Sequence, residues 1–293
     1  MYKPKENYKD IIFVDLLENN KDGLLAIMNA ILGTEVQDPN DLEIVTIKDK
    51  FFVTMYNDIA FICTGILNLY EHQSTINPNM PLRLLCYVAE EYQNIINREH
   101  KNIYGKKLQK IPTPKFVVFY NGINDIEDRQ FLKLSDAFLN SDCVPDLDLS
   151  VLMININYGH NDELMKKCRL LENYSKFVDI VKLMAQDKES KEEKEIAFNV
   201  AIDYCISNDI LSEYLTERRS VVLGGLIRGF DKETYERFIK EEAYEEGIEQ
   251  GIEQGIEQGK SLVIKTLLES QEPEKVAELL KISIDEVREI IEK

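Results

Sequence analysis

Cysteine and histidine are scarce in this 293-residue chain, and neither is spaced for redox or zinc chemistry. The five cysteines (Cys63, Cys86, Cys143, Cys168 and Cys205) are odd in number, lie far apart and form no C-x-x-C pair, and there are only three histidines, His72, His100 and His160. A disulfide framework and a Cys/His zinc site are both disfavoured. A bound metal would have to be held by oxygen, which points to magnesium, manganese or calcium. No apolar run approaches the roughly 20 residues of a membrane helix. Residues 1–10 carry three lysines and no apolar core, so they do not read as a secretory signal. The expectation is a cytoplasmic protein with no membrane partner. Nucleophile elbow, Rossmann glycine loop and kinase set are missing. Gly255 to Ser261 imitates a phosphate loop, but it has three residues between glycines where four are needed, and no strand precedes it.

What is present is a globular composition, 44% hydrophobic and 30% charged, with a net charge of −18. That charge argues at first against nucleic acid. Its distribution changes the argument. Residues 1–120 hold 13 basic and 15 acidic side chains, so the other 173 residues carry −16. Between positions 94 and 115, Arg98, Lys101, Lys106, Lys107, Lys110 and Lys115 face Glu99 alone. This basic stretch reads either as a solvated connection or as a guide for a polyanion.

Apolar periodicity predicts a helix over 8–32, broken near Asn19 to Gly23 and stopped by Gly33. Short β-rich runs follow at Leu42 to Ile47, about Phe52 to Cys63, and Ile66 to Gln73. A helix is expected over about 81–97, a strand at Phe116 to Tyr120 ended by Asn121-Gly122, a strand at Val151 to Ile156, and helices after about 161. This order predicts an α+β fold in which a mixed sheet is flanked by helices.

The most informative stretch runs from Asn57 to Gln73. Thr64-Gly65 lies between two β-rich runs and suits a two-residue hairpin turn. Pairing Cys63 with Ile66 then sets Asp58 opposite Glu71. Directly opposed like charges are destabilising unless something positive lies between them. Strand alternation puts Gln73 on the Glu71 face, after Leu67 and Leu69, with Tyr70 and His72 on the other. Asp58, Glu71 and Gln73 therefore make a polar cluster suited to metal-assisted hydrolysis, with Asp58 and Glu71 as metal ligands. An exposed sheet face with solvated acids is the alternative. On the following helix Arg83 and Tyr87, four residues apart, form one polar side with Glu90 and Glu91, while Leu85, Cys86, Ala89, Tyr92 and Ile96 are expected to face the core. Arg83 and Tyr87 can grip a phosphate at two points, or Arg83 can simply pair with a local glutamate.

These segments together resemble a known family. Asp10-Ile-Ile-Phe followed by Leu-Ala-Ile-Met-Asn-Ala-Ile-Leu-Gly33, the Asp58 to Glu71-His-Gln73 hairpin, Met80-Pro-Leu-Arg83 with Tyr87, Phe116-Val-Val-Phe-Tyr-Asn-Gly122, and Ile154-Asn-Ile-Asn-Tyr-Gly-His-Asn161 look like the Rpn family. Its members are recombination-promoting nucleases, also described as transposases, of the PD-(D/E)XK superfamily. The likeness spans about residues 8–185. It implies a restriction-endonuclease-like core with a helical C-terminal extension, and Mg²⁺- (or Mn²⁺-) dependent hydrolysis of DNA, linked to recombination or transposition. Carried over by position, Asp58 and Glu71 are metal ligands, and Gln73 stands where the superfamily has lysine. Glutamine supplies no ammonium and is no base near pH 7. A catalytically inactive nuclease fold serving as an interaction protein is the alternative. Asn57 replaces the superfamily proline, and Asp10 and Glu18 are candidates for a further ligand. Arg83, Tyr87, Lys106 and Lys107 are the expected DNA contacts.

The domain expectation is a nuclease-like core over 1–160, a helical region packing on it over 161–240, an acidic repeat helix over 241–260 and a small helical tail over 261–293. Residues 241–259 carry −7 and repeat Gly-Ile-Glu-Gln. Glycine at every fourth position makes an isolated helix marginal but permits close packing against a second copy, a homodimer through the C-terminal helices. A spacer without a binding role is the other reading. Residues 273–291 resemble a short helix-turn-helix with Ser283 as an N-cap, and its acidic second helix favours a protein partner over DNA.

Overall fold

The computed structural model describes residues 8–45, 58–140, 143–229, 255, 259–268, 271–280, 282–284 and 287–288. The N-terminal helical run is divided where expected, into α1 (Tyr8–Glu18) and α2 (Lys21–Leu32). Asn20 caps α2, its side-chain oxygen accepting from Gly23 N at 2.7 Å, and Gly33 ends it in the left-handed region at φ 68°. On α1 the buried positions are Lys9, Ile12, Phe13, Leu16 and Leu17, one stripe at helical spacing.

Six strands form one sheet: β1 (Leu42–Ile44), β2 (Asp58–Cys63), β3 (Ile66–Gln73), β4 (Thr113–Tyr120), β5 (Arg129–Lys133) and β6 (Ser150–Asn155), in the order β1-β2-β3-β4-β6-β5. The first three make an antiparallel meander. The helix α3 (Met80–Arg98) then crosses over to β4, which runs parallel to β3. β4 and β6 are parallel, and β5 closes the edge antiparallel to β6. The fold is α+β with a mixed open sheet flanked by helices, as the element order predicted. The β2–β3 register is the expected one, Cys63 against Ile66 and Asp58 against Glu71. It is set by Thr64 and Gly65, both at positive φ (49° and 76°), the signature of a type I′ turn whose twist matches the strands. The sequence reading missed β5, whose residues alternate between exposed and half-buried. A charged edge strand buries no continuous apolar run and gives little signal. The expected run before Asp58, residues 52–57, lies outside the described residues.

The sheet has a separate core on each face. One side packs α1 and α2 together with α4 (Asp162–Lys167), α5 (Arg169–Ala185), α6 (Lys191–Ser207), α7 (Ser212–Glu217) and α8 (Arg219–Gly229). Its centre is Phe13, whose ring lies 5.2 Å from Phe119 and 5.0 Å from Tyr174, centroid to centroid. Asp15 ties α1 to α7, accepting from Tyr214 OH at 2.9 Å and pairing with Arg218, which ends that helix. Residues 162–229 thus cover the sheet rather than trail from it. The other face is covered by α3, which packs Leu84, Val88 and Ile95 over Leu67, Leu69, Val118 and Met153.

The orientation of α3 departs from the sequence expectation. Cys86 and Ala89 are exposed, whereas Tyr87 and Glu91 are buried with Leu84, Val88 and Ile95. Hydrophobicity alone misplaced the helix, because its sheet-facing side must also meet a polar patch at the end of β3. The chain divides into two compact units, 1–231 and 232–293. In the second, the helix Pro273–Leu280 and residues 259–268 share a small core of Ile264, Val276 and Ala277, which Val287 joins. A turn starting at Ser283 follows, Val287 N donating to Ser283 O at 3.4 Å. Most of the glycine repeat lies outside the described residues, and with it the expected dimer contact. Among the described residues no helix is long and apolar enough to cross a membrane.

Cysteine accessibility provides a direct test of this packing. Burial pushes the thiols of Cys63, Cys168 and Cys205 up, the last to about 11, while Cys86 and Cys143 are exposed. A maleimide reagent near neutral pH should modify two thiols in the native protein and all five in denaturant. A third thiol reacting at the native rate would contradict the buried placement of Cys63, Cys168 or Cys205.

Candidate functional site

β3 is a central strand buried along nearly its whole length, yet it carries Asn68, Glu71, His72 and Gln73 among its buried residues. A buried carboxylate costs several kcal/mol unless its charge and lone pairs are met. At Glu71, only 1% exposed, Oε1 accepts from Arg83 Nη2 at 2.8 Å and from Gln73 Nε2 at 3.1 Å. Arg83 Nη2 also reaches the Tyr87 hydroxyl at 3.4 Å, one helical turn along α3. Glu71, Gln73, Arg83 and Tyr87, singled out from the sequence in two separate segments, therefore meet in one cluster. Asp58 is the register partner of Glu71; its side chain lies outside the described part of the structure. The Asp10 side chain does as well, and Glu18 stands at the other end of α1.

The amide of Gln73 has an assigned direction. A carboxylate only accepts, so the nitrogen must face Glu71 and the oxygen must point away. That oxygen, Oε1, is buried and has no hydrogen-bond partner among the described residues. Among those residues no group of three or more His, Cys, Asp or Glu side chains converges on one ion. The donor that Glu71 offers is a hard carboxylate oxygen, which suits magnesium or manganese rather than zinc.

The opposite side of the same strand end holds a second buried polar chain. Lys9, 6% exposed, donates from Nζ to the Asn121 carbonyl at 2.7 Å. Asn121 N in turn donates to Gln73 O at 2.8 Å, so a single residue separates the ammonium from the residue that ends β3. Tyr174 OH donates to Lys9 O at 3.0 Å and lies 3.1 Å from His72 Nε2. Having given its one hydrogen to a carbonyl, the phenol must accept from His72, which assigns the proton to Nε2. The polar groups thus gather beyond the carboxyl ends of the parallel strands β3, β4 and β6, the usual place for a site on such a sheet. The loop after β6 is fixed there too: Asp128 Oδ1 lies 2.8 Å from His160 Nδ1, and Asn161 Nδ2 donates to Asn155 O at 2.8 Å.

Sequence reasoning missed Lys9 and Asn121. Lys9 was findable, because it precedes Ile12 and Phe13 by three and four residues and shares their stripe. Asn121 was noted only as a strand terminator. Lys106 and Lys107 fall elsewhere. Their loop joins the end of α3 to the start of β4, and Thr113 pairs with Ile66 while Tyr120 pairs with Gln73. Five residues of strand, about 17 Å at 3.3 Å per residue, separate the base of the basic loop at Thr113 from Val118, the partner of Glu71. Comparison with protein families, with curated proteins and with solved structures finds no match for this chain.

The ion pair has a measurable consequence. Arg83→Met keeps the bulk but leaves the Glu71 carboxylate without its cation, and urea unfolding should show a loss of about 2 kcal/mol. Adding Glu71→Gln should recover part of that loss, giving a non-zero coupling in the double-mutant cycle. Strict additivity would mean that the pair contributes nothing.

Proposed function

We propose that the protein is a metal-dependent endodeoxyribonuclease that hydrolyses phosphodiester bonds in DNA. The observation that carries this reading is the gathering of Gln73 and Arg83 on the buried Glu71 carboxylate, directly across the hairpin from Asp58. The family resemblance of these segments supports it and suggests a setting in recombination or transposition.

In this reading Asp58 and Glu71 hold Mg²⁺ or Mn²⁺, and Gln73, its amide nitrogen hydrogen-bonded to Glu71, orients that carboxylate. When bound, such an ion lowers the pKa of a water and offsets charge at the phosphate. The protein's own groups do the remainder. Arg83 has 30% of its side chain exposed and can exchange Glu71 for a substrate phosphate, with Tyr87 as the second point of contact. Gln73 orients by hydrogen bonding and cannot remove a proton. Lys9 contributes positive charge at the strand end, the role that Gln73 cannot fill.

One observation favours the inactive, interaction-protein reading. The Arg83 guanidinium already neutralises Glu71, and a metal would have to displace it. Plasmid nicking separates the two. The purified protein should nick supercoiled DNA in Mg²⁺ and not in EDTA, Glu71→Ala should abolish nicking, and Lys9→Met should slow it by about 10²-fold. Wild type and Glu71→Ala behaving alike would favour the inactive reading.

A further inference from the structure

The loop between α3 and β4 is built as a projection. Its base is pinned: Tyr92 OH donates to Pro112 O at 2.9 Å, Lys101 Nζ to Lys110 O at 2.8 Å, and Thr113 N to Gly65 O at 2.9 Å. An Asn102 turn, with Tyr104 N donating to Asn102 Oδ1 at 3.1 Å, shapes the tip. Beyond this base Tyr104 is 95% exposed and Leu108 83% exposed, and Ile103 and Ile111 are about half exposed. Charge sharpens the picture. From His100 to Asn124 there is no acidic residue, in a chain with 53 of them. Arg98 and Lys101 are neutralised by Glu43 and Glu99, each at 2.7 Å. Lys106, Lys107 and Lys110 form no ion pair among the described residues and lie among these exposed apolar side chains.

We infer that this loop is a DNA-binding element that stacks Tyr104 on an unpaired base while Lys106 and Lys107 contact the flanking phosphates. An aromatic ring on a cationic support matches single-stranded nucleic acid, whose bases offer flat apolar faces beside a charged backbone. The exposed apolar side chains are spread along an irregular loop and do not line up on the helix face that anchors a protein in a lipid surface. The base of the loop at Thr113 stands five strand residues, about 17 Å, from Val118, the partner of Glu71. The favoured substrate is then DNA with a single-stranded extension or junction. The choice of DNA rests on the nuclease reading; the binding measurement does not require cleavage.

The test is fluorescence anisotropy without divalent cation, using the full chain, a blunt duplex, and the same duplex with a single-stranded extension. The extended DNA should bind more tightly. Tyr104→Ala should reduce that affinity by about tenfold and leave the blunt duplex unchanged. Lys106→Gln with Lys107→Gln should weaken both DNAs and flatten the salt dependence by about 2 in log–log slope. Unchanged binding of the extended DNA by Tyr104→Ala overturns the inference. So does loss of binding to phosphatidylserine vesicles, rather than to DNA, in the loop variants. A protein that fails to nick plasmid but shows the Tyr104 effect keeps the loop inference and discards the nuclease reading.

Discussion

A carboxylate lies at the carboxyl end of the central strand with water almost wholly excluded, and its charge constrains what surrounds it. Glu71 cannot stay ionised there without a cation within hydrogen-bonding distance. Arg83 supplies it from the first turns of α3, so the helix must turn that side inward. Tyr87 and Glu91, at successive four-residue steps, are carried in with it. Pro81 and Met80 at the helix start, buried against the sheet, keep the first turn close to Gln73. The apolar contacts of Leu84, Val88 and Ile95 then bind the rest of the helix to the sheet. One electrostatic requirement thus sets the rotation of a 19-residue helix.

Strand alternation divides β3 between two environments. Leu67, Leu69, Glu71 and Gln73 face α3, while Tyr70 and His72 face the larger helical layer. On that second face His72, Tyr174 and the Lys9 backbone form a hydrogen-bonded line, and Phe13 packs against both rings at 4.9 Å and 5.0 Å. This assembly holds α1 so that its buried lysine reaches the ends of β3 and β4. The helices after residue 161 therefore have a part in the site as well as in the core: Tyr174, which holds Lys9, comes from α5.

Much of this was legible in the order of residues because the governing interactions are local. The helix division at Asn20 follows from a cap and a glycine stop, and the hairpin register follows from Thr64-Gly65. Once those two turn residues were placed, period-two alternation put Asp58 opposite Glu71 and Gln73 on the same face. Arg83 and Tyr87 shared a helix side by spacing alone. What failed was of another kind. Cys86 and Ala89 were assigned to the core because apolar periodicity cannot count a buried ion pair as a reason to face inward. β5 was missed because an edge strand with Arg129 and Lys133 at its ends carries no buried pattern of its own.

The chain's local chemistry was enough to specify the elements, the hairpin and the residues that share each face, since turn geometry and side-chain alternation act over a few positions. The remaining features depend on contacts between distant segments: the union of Glu71 with Arg83, the arrival of Lys9 at Asn121 across 112 positions, and the placing of the basic loop at the far end of the sheet. Those contacts follow from how two helical layers close on the sheet, and no periodicity within a single segment encodes that.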